Sequence, residues 1–74
     1  MVNIKSFNIS EDNFVLVGDI FVATIQHNLN RTALMVTCSN EVGSVVFDYE
    51  KPDNNHIHIK LLHPENITVN VVYV

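Results

Sequence analysis

No stretch of this chain holds a helical hydrophobic pattern. Short two-residue alternations appear instead, each cut off by a cluster of turn formers. From His56 to Leu62, residues Ile57, Ile59 and Leu61 fall on one side and His56, His58 and Lys60 on the other. Ile67 to Val74 repeats the pattern, with Ile67, Val69, Val71 and Tyr73 opposite Thr68, Asn70, Val72 and Val74. Period two marks a strand with one buried face. Val and Ile together supply nineteen residues, which is strand composition, and ten Asn gather where turns belong. These constraints predict an all-β fold: a small antiparallel β-sandwich or barrel of six to seven short strands, one domain over residues 1–74.

The remaining segments follow from the same rules. Val2–Ile9 reads as a strand with a fault, since Val2 and Ile4 share one parity and Phe7 and Ile9 the other, so a bulge is expected near Lys5-Ser6. Ser10-Glu11-Asp12-Asn13 reads as a polar turn rather than a helix start, because β-formers follow. Phe14–Val17 is a short strand stopped by Gly18-Asp19. Ile20–Gln26 is extended, with Phe21, Ala23 and Ile25 on one face. His27–Thr32 is a loop, Ala33–Ser39 a strand, and Asn40-Glu41-Val42-Gly43 a turn into a strand over Ser44–Glu50. Lys51-Pro52-Asp53-Asn54-Asn55 and His63-Pro64-Glu65-Asn66 are the last two turns.

Composition narrows the function. A chain of 74 residues buries only about 60% of its unfolded surface, so something must add to its core. Cys38 has no partner for a disulfide and reads as a small buried hydrophobe made in a reducing compartment. Association with other copies is the expected stabiliser. The net charge is −4, and Lys5, Arg31, Lys51 and Lys60 are the only permanent cations, which argues against nucleic acid as a partner. Neither a signal peptide nor a membrane span is expected. Asp48 and Glu50 share a strand face, but sugar chemistry would need them across a cleft with aromatics, and Trp is absent. The Asn8, Asn30 and Asn66 acceptor patterns for glycosylation are expected by chance in so Asn-rich a chain. With two glycines there is no phosphate loop, and no small-molecule substrate is expected.

One tetrapeptide is distinctive. His27-Asn28-Leu29-Asn30 follows the run Phe21–Gln26 and precedes a regular series of strands ending at Val74. In that position it resembles a small β-module of bacteriophage virion proteins, found in tail-fibre, baseplate and head-decoration chains. The likeness spans roughly residues 20–74 and continues through Leu34-Met35-Val36, Val45-Val46-Phe47-Asp48, Asn55–Ile59 and Val69–Tyr73. The N-terminal strands lie outside it, and neither glycine-rich shaft sequence nor a coiled-coil heptad accompanies it. The resemblance implies that Leu29 plugs the end of the sandwich while His27 and Asn28 brace the loop. It further implies a virion protein synthesised in the host cytoplasm, a homo-oligomer with a trimer favoured, and docking on other virion proteins.

His56 and His58 share one face of a strand. The pair resembles the His-x-His motifs with which some phage spikes and fibres hold iron on a three-fold axis, where three chains would supply six nitrogens to iron or another transition metal. The plainer reading is two surface histidines beside Lys60, with no cofactor. His27 is expected to brace its loop rather than catalyse, and His63 before Pro64 to serve a turn. Val15, Val17, Val22, Val72 and Val74 are apolar on faces that should point outward, which makes them candidates for self-association. The expectation is therefore a non-enzymatic virion structural or assembly protein. The alternative is a small phage-encoded regulatory protein that binds and inhibits a host protein.

Overall fold

A computed structural model describes residues 1–74. Eight strands form two four-stranded antiparallel sheets: β1 (Asn3–Ile9), β2 (Val15–Val17), β3 (Ile20–Gln26), β4 (Met35–Asn40), β5 (Gly43–Ser44), β6 (Asp48–Glu50), β7 (His56–Leu61) and β8 (Ile67–Tyr73). One sheet runs β1-β8-β4-β5 and the other β2-β3-β7-β6. The fold is all-β, a sandwich rather than a barrel. Its core fills the space between the sheets: Val69 and Val71 of β8 face Ile57 and Ile59 of β7, and all four are fully buried.

Two strands behave as their alternation predicts. Along β7 the buried Ile57, Ile59 and Leu61 alternate with half-buried His56, His58 and Lys60, and β8 does the same with Ile67, Val69 and Val71. Each sits in the middle of its sheet, where a one-residue slip would turn the whole apolar row to solvent.

β1 corrects the reading of its sequence. No bulge interrupts it; the register runs without a break from Asn3↔Tyr73 to Ile9↔Ile67. The inward parity is Lys5, Phe7, Ile9, and Ile4 points out. A lysine fits the inner side because its stem lies along apolar surface while Nζ donates to the His27 carbonyl at 2.7 Å. An inward charge on an edge strand also discourages pairing with foreign strands.

Two further segments differ. Ser10–Asn13 contains one turn of 3₁₀-helix over Glu11–Asn13, held by a capping box. The Ser10 hydroxyl accepts from the Asp12 N–H, and the Ser10 N–H donates to Asn13 Oδ1. Ser44–Glu50 is not one strand but leaves one sheet as β5 and joins the other as β6. Its alternation persists because both inner faces look into one core, against which Val45, Phe47 and Tyr49 all pack. This crossing raises the strand number to eight.

Cys38 lies within the core, and burial pushes its thiol up to about 11. A thiol reagent at pH 8 should therefore label the native chain many times more slowly than the urea-unfolded chain. Labelling at equal rates would mean that β4 opens readily.

Candidate functional site

The loop between β3 and β4 is built on its first residue. His27 is fully buried, and its Nδ1 accepts the Leu29 N–H at 3.1 Å. That bond needs an unprotonated Nδ1, so the ring is neutral with its proton on Nε2, which is buried without a partner in the protein. Burial, then the charges of Lys5 and His56, hold its pKa below 6.5, while Asp53 acts in the opposite direction.

Asn28 and Asn30 both take left-handed backbone, at φ 59° and 51°, a region that asparagine tolerates. The two reversals turn Leu29 back onto the core, where it packs half-buried. Gln26 donates to Asn28 Oδ1 at 2.9 Å. The neighbouring turn completes the loop: the His27 N–H donates to the Asn55 carbonyl, Arg31 N–H to the Asn54 carbonyl, and Asn30 N–H to Asn55 Oδ1. Asp53 shapes that turn by accepting the Asn55 N–H and meeting His56 Nδ1 at 2.8 Å. These bonds draw its carboxyl below the usual carboxylate value. The His27, Arg31 and Asn30 bonds tie the loop to the turn before β7 and leave His27 Nε2 as the one buried side-chain polar atom without a partner.

His56 and His58 do share the outer face of β7. His58 lies opposite Thr24 on β3 and Glu50 on β6. His56 engages Asp53, and Glu50 is taken by Lys60. The chain holds no group of three His, Cys, Asp or Glu side chains placed to share a metal ion.

The five valines divide between opposite faces. Val15 and Val17 are exposed on edge strand β2, with half-buried Val22 directly across from Val15. Val72 lies on the outer face of the other sheet, and Val74 is exposed just beyond it. Val72 is flanked by two residues not singled out in the sequence: Ile4 on β1 and Met35 on β4, both exposed. The signal for Ile4 was its parity with Val2, obscured by the expected bulge. Comparison of the chain with protein-family models, curated proteins and solved structures gives no match.

Two open depressions lie at the end of the sandwich away from the His27 loop. A polar cleft of about 750 Å³ is lined by Asn8, Ser10, Asn40, Asn66 and Thr68 among others. Much of its polar lining is engaged internally: Thr68 donates to Asn8, Asn66 accepts the Glu11 N–H, and Asn40 donates to Glu65. The second, of about 510 Å³, is an apolar groove where the chain crosses between sheets, with Ile20, Val45, Val46, Phe47, Leu61 and Leu62 along it. Phe47 is held by stacking on Tyr49, with ring centroids 5.9 Å apart. The sequence does not reveal this groove, because it exists only where β5 and β6 part.

Proposed function

We propose that this chain is a non-enzymatic structural or assembly protein of a bacteriophage virion, acting through self-association and docking on a larger scaffold. The observation that carries the assembly part is the distribution of apolar side chains. Thirteen form the buried core, while eleven large ones, among them Ile4, Leu16, Met35, Val46 and Leu62, are exposed. A free-standing small domain gains little from such a surface, whereas one that packs against neighbours covers it. The virion part rests on the resemblance of the His27-Asn28-Leu29-Asn30 loop and the strands after it.

The test is location. Phage particles purified on a density gradient from a host that carries this sequence should contain the chain at a fixed ratio to the main capsid protein. Recovery of the chain only outside particles, in stoichiometric complex with a host protein, would replace this reading with that of a regulatory inhibitor.

A further inference from the structure

The topology sorts the charges of this chain to opposite ends of the sandwich. The C-terminal end of β1 (Ile9), the start of β8 (Ile67) and the β4–β5 turn lie together, because Ile9 pairs with Ile67, Ser39 with Thr68, and Asn40 with Gly43. The short loop from β7 to β8 brings Leu61 and the start of β3 to that same end. Six of the eight carboxylates stand there: Glu11, Asp12, Asp19, Glu41, Asp48 and Glu65. At the opposite end β3 and β8 finish and β4 begins. It carries Lys5, Arg31 and Lys51, three of the four permanent cations, against Asp53 alone.

Neither set is neutralised within the chain. The only ion pairs are Lys60 with Glu50 and His56 with Asp53; Lys60, opposite Asp48 in the register, is the one permanent cation that lines the groove, and it is already paired. Lys5 and Lys51 donate instead to the neutral carbonyls of His27 and Thr32, and Arg31 donates to the main-chain oxygen of Val74. Each end also offers apolar surface. The anionic end has the groove, with Val46 96% and Leu62 73% exposed, and the cationic end has Val2, Met35 and Val74.

We infer that copies of this chain stack head to tail along the strand direction, the cationic end of one copy seated on the anionic, grooved end of the next. Like ends repel, so a two-fold contact between equal ends is disfavoured. Unlike ends attract through charges left unpaired and bury apolar residues that a lone copy exposes. Such a contact is heterologous: each copy keeps one free end, and the series either closes into a ring or grows as a filament. The inference gives the self-association proposed above a direction. It rests on that part of the reading and is indifferent to whether the assembly belongs to a virion.

The experiment is sedimentation velocity on the full chain at 20 mM and 500 mM NaCl, with two surface variants. Arg31→Glu/Val74→Glu removes the cationic end, and Asp48→Lys/Leu62→Lys removes the grooved end. All four positions are exposed, and far-ultraviolet circular dichroism checks that the fold is retained. The expected result is a wild-type weight-average mass several-fold above the monomer at low salt, falling at high salt as the charges are screened. Each variant alone should stay monomeric. Mixed, each supplies the end the other lacks, so they should form a dimer and stop there.

A mixture that stays monomeric, or variants that assemble as the wild type does, would overturn the stacking while leaving self-association through the sheet faces intact. A wild-type monomer at every salt and concentration would overturn both.

Discussion

Replacing Ile59 with alanine is expected to cost about 2–5 kcal/mol of folding stability. Ile59 is fully buried in the middle of β7, between Ala23 of β3 and Tyr49 of β6 in the register. Ala23 is already the smallest side chain in the core and has no atoms with which to fill the space, so a cavity remains. A domain of this size holds roughly 4–11 kcal/mol in all, taking 0.05–0.15 kcal/mol per residue. The loss is therefore a large share of the total, and the urea midpoint should drop steeply at unchanged slope. Val46→Ala, at a position 96% exposed, should move the midpoint by less than about 0.5 kcal/mol. Equal effects at the two positions would mean that Val46 is covered under the conditions of the measurement, or that Ile59 is not where the core lies.

The contrast between these positions marks what the sequence made legible. Ile57, Ile59 and Leu61 alternate with polar residues, and alternation fixes which face is buried wherever a strand sits mid-sheet with one face to water. Edge strands follow it less strictly. On β1, Lys5 takes an inward place because its ammonium reaches past the core to the His27 carbonyl. A rule that counts Val2 and Ile4 as inward, when both are exposed, then finds a bulge where the register is unbroken. Val45, Phe47 and Tyr49 alternate faithfully across a jump between sheets, since periodicity reports which side is buried and not which strand is the neighbour.

The turns of the loop after β3 are local, since the left-handed Asn28 and Asn30 and the buried His27 act on neighbours two positions away. The charged ends were out of reach for the opposite reason. The Glu11-Asp12 pair, Asp19, Glu41 and Glu65 lie far apart along the chain, and only the pairing of β1, β4 and β8 and the connection from β7 collect them. Scattered acids in sequence are no guide to scattered acids in space.

Stability is expected to fall as the pH is lowered from 6.5, and His27 is the group responsible. Its native pKa lies below the ordinary value of 6.5, because burial disfavours the imidazolium and Lys5 and His56 repel it, only partly offset by Asp53. The unfolded chain therefore takes up its proton first, and protons favour the unfolded state. The stabilising contribution is intact above pH 6.5 and is lost as the pH falls through the native value. Protonation of Nδ1 also removes the acceptor for the Leu29 N–H, so the native state cannot take up the charge without releasing the loop. Asp53 contributes in a lower window. Its carboxyl is held below 3.8, chiefly by the Asn55 N–H and by His56, so its stabilisation persists until the pH falls below that value.

The measurement is the urea midpoint of the wild type and of His27→Phe from pH 7.5 to 4.5 at constant ionic strength. The variant should be less stable at pH 7.5, since Leu29 N–H loses its partner, a loss of about 1–3 kcal/mol for a buried donor. Its midpoint should then vary much less across pH 6.5 to 4.5, and the two curves should converge. Parallel curves would mean that His27 is not the source of the acid sensitivity. The His27 ring would then be no more than a plug of the right shape.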